Sequence, residues 1–219
     1  MKSRLLFLVA TAWLALPLAS CSADHPSPAE TRTKAEQGDA KAQTSLGLMY
    51  HEGQGVPKDD AEAVKWTRKA AEQGVAEAQN NLGMAYDSGE GVPKDDAEAV
   101  KWFRKAAEQG VAEAQTSLGV MYHEGEGVPK DYAEAVTWFR KVAEQGDAEA
   151  QFNLGVMYYK GEGVPKDDVE AYMWALLAAA QGHEKAKAVL DSIGRGMTSD
   201  QITEARKRAA IWQPAPSKQ

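Results

Sequence analysis

The chain has 219 residues, of which 43% are hydrophobic and 26% charged, and its formal net charge is −7. This acidic balance disfavours nucleic acid and anionic lipid headgroups as main partners. The single cysteine, Cys21, excludes an intramolecular disulfide framework and a cysteine-based structural zinc site.

The first twenty residues predict a signal peptide. Lys2 and Arg4 precede an apolar stretch from Leu5 to Leu18 that is too short to span a bilayer comfortably. This layout is typical of a secretory signal over residues 1–20. Its removal changes the balance to 23 basic against 32 acidic residues, a net charge of −9.

The signal ends in Leu18-Ala19-Ser20-Cys21, which resembles the bacterial lipoprotein box at all four positions. The resemblance implies that Cys21 is lipidated and anchors the protein in a membrane, facing the periplasm. Ser22, rather than an aspartate, follows the cysteine and implies the outer membrane. Residues 21–28 are small, polar and proline-containing, which predicts a tether between lipid and folded body. The alternative is an ordinary signal peptide with Cys21 as a spare thiol.

A repeat of 36 residues fills most of the remaining chain. Its spacing is set by Gly38, Gly74, Gly110, Gly146 and Gly182. The full units span 38–73 (unit 1), 74–109 (unit 2), 110–145 (unit 3) and 146–181 (unit 4). A partial unit at 29–37 precedes them, and an atypical unit with a capping helix at 182–212 and a tail at 213–219 follow.

Each unit is predicted to form two helices joined by a glycine- and proline-containing loop. Ala40, Leu46 and Tyr50 fall on one face of the first helix. The second helix opens at Asp59, with Glu62 at the third position, a pattern that suits an N-cap. Because two short helices cannot bury enough area alone, neighbouring units are expected to share a continuous core. The large residues expected to fill that core are Tyr50, Tyr86, Tyr122, Tyr158, Trp66, Trp102, Trp138 and Trp174.

The pattern A-x-A-Q-x-x-L-G-x-x-Y, followed by G-x-G-V-P-K-D and E-A-x-x-W, resembles the Sel1-like repeat family, a relative of the tetratricopeptide repeat, over roughly residues 28 to 190. The resemblance implies an all-α, right-handed α–α superhelix that serves as a protein-binding scaffold. The fifth unit departs from the pattern at Asp191 and Gly194. Thr198 and Gln201 then predict a capping box before a closing helix over 202–212.

Units 2 and 3 share 27 of 36 residues, and six of their nine differences fall between positions 7 and 15 of the unit. In related solenoids the first helix lines the concave surface, so this clustering predicts a partner-binding groove. Phe152 and Tyr159 are the candidate anchors, because aromatic residues dominate binding hot spots. Drift of a solvated helix surface is the alternative. The predicted groove residues are Leu48, His51, Asn80, Met84, Asp87, Thr116, Val120, His123, Phe152, Val156 and Tyr159.

Nothing in the sequence predicts an enzyme, a cofactor or a small-molecule substrate. His51 and His123 lack the second ligand that an H-E-x-x-H helix would provide. The G-E-G-V-P-K-D loops lack the G-K-[ST] of a phosphate cradle and are interpreted as turns. Asp59 and Asp60 are interpreted as helix-capping residues rather than paired catalytic acids.

Two functions fit these features. The first is a lipid-anchored periplasmic scaffold that binds another protein without catalysis. The second is an immunity protein, because some periplasmic Sel1-like lipoproteins of this architecture neutralise phospholipase effectors of the type VI secretion system. The sequence leaves the identity of the partner open.

Overall fold

The computed structural model describes residues 27–215, and this part of the chain is all helical. The eleven helices are α1 (Pro28–Glu36), α2 (Ala40–Glu52), α3 (Asp60–Glu72), α4 (Ala76–Ser88), α5 (Asp96–Glu108), α6 (Ala112–Glu124), α7 (Tyr132–Ala143), α8 (Ala148–Lys160), α9 (Asp168–Ala180), α10 (Glu184–Gly194) and α11 (Ser199–Ile211). Each helix from α1 to α9 packs against the next, which builds an all-α repeat superhelix. Among the helices of residues 27–215, none combines the length and the hydrophobicity that a membrane span requires.

The second helix of every full unit begins at an aspartate N-cap, as the sequence predicted. The carboxylates of Asp59, Asp95, Asp131 and Asp167 accept hydrogen bonds from backbone amides two or three residues further on. Such caps satisfy amides that the first turn leaves without a partner. The Glu62 side chain does not hydrogen-bond to the backbone of the N-cap residue Asp59. Its carboxylate instead accepts hydrogen bonds from Lys65 and from the indole nitrogen of Trp66, at 3.1 Å.

The predicted aromatic core is present. The four repeat tryptophans are 6–8% exposed, and Leu46, Leu82, Leu118 and Leu154 are fully buried. Tyr86 is buried, whereas Tyr50, Tyr122 and Tyr158 are half-buried with their hydroxyls toward the preceding second helix.

An arginine–tyrosine pair joins each unit to the one before it. Arg68 donates to the Tyr86 hydroxyl at 2.7 Å, and Arg140 to that of Tyr158 at 2.6 Å. Arg104 makes the same contact with Tyr122. Arg32 of α1 contacts Tyr50 in the same way, so α1 stands where the second helix of a preceding unit would be.

Buried glutamines also connect the units. Gln79 donates to the Ala71 carbonyl at 3.1 Å and accepts from Gln109 at 2.7 Å. The same arrangement recurs at Gln43 and Gln151. It breaks in unit 3, where Gln145 turns back to Lys141 and the side-chain oxygen of Gln115 has no partner.

The C-terminal end of the superhelix does not form another two-helix unit. The predicted capping box of Thr198 and Gln201 is present, but α11 packs on α9 rather than pairing with α10. Trp212 meets Trp174 edge-on at 6.1 Å between ring centroids. In units 1 to 3 the equivalent tryptophan is covered by a lysine ammonium instead, about 4 Å from the ring centroid (4.1, 3.9 and 3.8 Å).

The first described helix begins at the last residue of the predicted 21–28 tether. Ser27 caps α1 and Pro28 is its first residue, so the tether predicted to reach residue 28 stops before the helix. A proline at the first helical position needs no amide partner, which favours this start. The predicted signal peptide and the lipidation of Cys21 lie outside the described residues.

Candidate protein-binding groove

The first helices of the units lie on the inner side of the superhelix. Among successive first helices, α4 contacts α6 and α8 contacts α10, whereas no successive pair among the second helices α3, α5, α7 and α9 approaches as closely. The closing helix and the tail lie on the other side, since α11 covers α9 and the Ala215 amide donates to the Glu144 carbonyl at 2.7 Å. The described part of the C-terminal tail therefore does not fill the inner surface.

An apolar row runs along this surface. Counted from the repeat glycine, position 11 of the four units carries Leu48, Met84, Val120 and Val156, which are all half-buried. Met84, Val120 and Val156 pack in part on the core beneath them. We call these four residues the inner row. Its regular spacing follows from the 36-residue repeat.

Carboxylates lie two helical turns before the inner row, at position 4. Glu77 and Glu113 are exposed and have no ion-pair partner among the described residues. Glu149 accepts a hydrogen bond from His183 at 2.9 Å. Lys41 holds this position in unit 1, so the acidic stretch begins with unit 2.

Position 14 carries half-buried polar residues that contact the following elements. His51 lies 3.0 Å from Asp60, and His123 bridges Glu124 at 2.7 Å and Glu162 at 3.2 Å. Glu162 belongs to the loop of unit 4, so that loop abuts α6, the first helix of unit 3.

Asp87 and Tyr159, also at position 14, each lie near a loop lysine. Lys94 is 3.5 Å from Asp87 and 2.6 Å from Asp96. Its hydrogen bond with Asp96, aided by the negative charge of Asp87, raises the pKa of Lys94. The Lys166 ammonium lies 5.2 Å from the Tyr159 ring centroid.

Two predicted groove residues are buried in the protein itself. Phe152 is only 5% exposed, because α10 covers it and the His183 ring stacks on it at 4.5 Å. Phe152 is therefore not exposed, as an anchor for a partner in the groove would have to be. Asn80 is 7% exposed, and its side-chain oxygen has no hydrogen-bond partner. Thr116 is half-buried and donates to the Ala112 carbonyl of its own helix.

The clustered differences between units 2 and 3 are only partly a surface feature. Three of the six position pairs, 84/120, 87/123 and 88/124, are at least partly exposed in both units. At the other three, 80/116, 81/117 and 85/121, at least one member is buried. Half of the variation therefore changes the packing between helices.

A small pocket lies at the junction of units 1 and 2, because two of the side chains that pack there are smaller than their counterparts in later units. It is lined by His51, Thr67, Asn81, Ala85 and neighbouring residues. Thr67 stands where later units have Phe103 and Phe139, and Ala85 where they have Met121 and Met157. The volume open to the centre of a water molecule is about 10 Å³, room for one water. The described residues contain no group of three or more side chains suited to a metal ion.

The Sel1 repeat family model matches residues 40–75, 76–111, 112–147 and 148–183, so its repeats begin two residues after the glycines used above. A protective antigen with an SLR fold from uropathogenic Escherichia coli is 44% identical, over 83% of this chain and 40% of that chain, with a TM-score of 0.74. The described chain thus spans about two fifths of that relative. No curated protein matches significantly.

A Sel1 repeat protein from Oxalobacter formigenes is 39% identical, over 81% of this chain and 75% of that chain, with a TM-score of 0.69. An immunity protein from Pseudomonas aeruginosa is 21% identical, over 84% of this chain and 72% of that chain, with a TM-score of 0.46. A likeness of that size carries no argument about function.

Proposed function

Because the chain belongs to the Sel1 repeat family, we propose that it is a non-catalytic scaffold that binds another protein along its inner groove. The observation that carries the proposal is the inner row, which exposes apolar surface at the same place in four successive units. The described C-terminal tail lies elsewhere, on the second helices. A surface that is apolar, repeated and uncovered suits a polypeptide better than a compact ligand.

Crosslinking in cells tests the groove. The protein is recovered through a C-terminal tag and its crosslinked partner is identified. Serine at Leu48, Met84 and Val120 should abolish capture of that partner, because the contact loses its apolar surface. Serine at Ala61, Ala97 and Ala133 is the matched control, since these residues recur every 36 residues and are exposed on the second helices. Equal capture by both variants would contradict the groove.

The scaffold is further proposed to be held in the periplasm by lipid on Cys21, in the outer membrane. Support comes from the lipoprotein-box resemblance at residues 18–21. Several acyl chains together make a stable anchor. Cys21→Ser should move the protein from the membrane fraction to the soluble periplasmic fraction. A variant that remains in the membrane fraction would contradict lipid anchoring.

A second candidate is an immunity protein that neutralises a phospholipase effector of the type VI secretion system. It is favoured by the differences at positions 84/120, 87/123 and 88/124, since surface change between otherwise near-identical units suits an antagonist's changing surface. A phospholipase-like toxin encoded by the neighbouring gene is the test. Expression of this chain should then rescue cells from that toxin, and the inner-row serine variant should not.

A further inference from the structure

We propose that the occupant of the inner groove is a basic, amphipathic polypeptide segment of another protein, with lysine or arginine residues between apolar ones. The inference rests on the proposed scaffold function and names the class of partner. Apolar side chains of the segment pack on the inner row, and its cations meet the carboxylates beside it. The charges of the described residues carry this inference.

The outer cations are already used within the protein. Lys65 and Lys101 pair with Glu62 and Glu98 of their own helices. The arginines of the second helices donate to tyrosine hydroxyls, and the lysines after them cover tryptophan rings. On the inner side, the carboxylates of Glu77 and Glu113 lie exposed near the inner row and have no cationic partner among the described residues. A basic segment would supply the missing charges.

The junction of units 2 and 3 adds a place for one cation. At the junction of units 3 and 4, His123 lies 3.2 Å from Glu162 of the next loop. The equivalent residues one unit earlier are Asp87 and Glu126. The junction of units 2 and 3 therefore has two acidic residues at the positions where the junction of units 3 and 4 has a histidine and a glutamate. Lys94 approaches only Asp87 of this pair, at 3.5 Å. A lysine or arginine from the partner would satisfy both carboxylates.

The experiment measures fluorescence anisotropy with two labelled peptides of equal length. One alternates leucine and lysine, and the other alternates leucine and glutamate. The leucine–lysine peptide should bind, with an affinity that falls as salt rises. Glu77→Gln, Asp87→Asn and Glu113→Gln together should weaken binding by about tenfold, the sum expected of three exposed ion pairs. Far-ultraviolet circular dichroism and melting temperature check that this variant is folded.

The matched control carries Glu36→Gln, Glu72→Gln and Glu108→Gln. These glutamates are exposed and end α1, α3 and α5, so the control loses the same net charge away from the groove. Its affinity for the leucine–lysine peptide should stay within about twofold of the parent. Equal weakening by both variants would show general attraction to an acidic protein and overturn the proposal. Binding of the leucine–glutamate peptide with equal affinity would also overturn it.

Two further outcomes separate this inference from the scaffold function. If the crosslinked partner is lost with the inner-row serine variant but kept with the three-acid variant, the groove binds protein and the basic class is wrong. If the purified protein self-associates through the same acids in sedimentation velocity, the occupant is a second copy, which also overturns the proposal.

Discussion

The loop glycine Gly127 offers a direct test of how the units are held together. The loop between α6 and α7 passes over the start of α5 in the preceding unit. A Cβ atom at residue 127 would lie 2.2 Å from the Asp96 carbonyl oxygen and 2.8 Å from the Ala97 nitrogen. Both neighbours are backbone atoms, which cannot move aside as a side chain can. Gly127→Ala should therefore lift the loop from α5.

The matched control is Gly110→Ala. Both glycines have a positive φ, 67° at Gly127 and 94° at Gly110, but an added Cβ at residue 110 meets nothing within 4 Å. The left-handed conformation alone costs about 1–2 kcal/mol for alanine. The clash at residue 127 adds an overpacking cost of about 1–3 kcal/mol. We therefore expect losses of about 2–5 kcal/mol for Gly127→Ala and about 1–2 kcal/mol for Gly110→Ala.

The assay is thermal and urea unfolding of both variants and the parent, followed by circular dichroism. For a domain of this size each kcal/mol lowers the melting temperature by about 2–4 °C. Gly127→Ala should thus melt below Gly110→Ala by about 2–12 °C. Because the φ of Gly127 is closer to the ideal left-handed value, dihedral strain cannot explain a larger loss there. Equal melting temperatures would refute the close approach between loop and helix.

Three other substitutions test the packing. Trp102→Ala should lower the free energy of unfolding by about 3–5 kcal/mol, because the ring is 8% exposed and lies between units; an unchanged urea midpoint would contradict this. Thr67→Phe with Ala85→Met should lower it by about 1–3 kcal/mol, because the added side-chain atoms exceed a pocket with room for one water, and a raised melting temperature would show that the two units separate to accept the larger side chains. Phe152→Ala should cost about 3–5 kcal/mol, since the residue is buried beneath α10; a variant that keeps its melting temperature but loses its crosslinked partner would restore Phe152 as an anchor.

The sequence predicted the repeated parts of the fold well, because each rests on local chemistry repeated four times. Asp59 and its copies cap the second helices, and Trp66 and its copies are buried. The pairing of Arg68 with Tyr86 was missed. The signal was present, since an arginine precedes each repeat tyrosine by 18 residues, but only the packing of successive units shows that the two side chains meet.

The groove was predicted less accurately, because periodicity places a residue on a helix face without saying what covers that face. Leu48, Met84, Val120 and Val156 do remain half-exposed. Phe152 has the same periodicity as Thr44, Asn80 and Thr116, and all of these except Thr116 are buried, so position 7 lies under neighbouring helices in most units. At Phe152 the covering helix is α10.

The sequence by itself determined that this protein is a row of two-helix units, because capping residues, turn glycines and apolar spacing act within a few residues of each other. Only the tertiary structure decided which surface stays open. That depends on contacts between distant residues: α11 turns back onto α9, Ala215 reaches Glu144, and α10 covers Phe152. Whether a side chain is buried depends on the folded chain as a whole, so a local sequence pattern does not predict it.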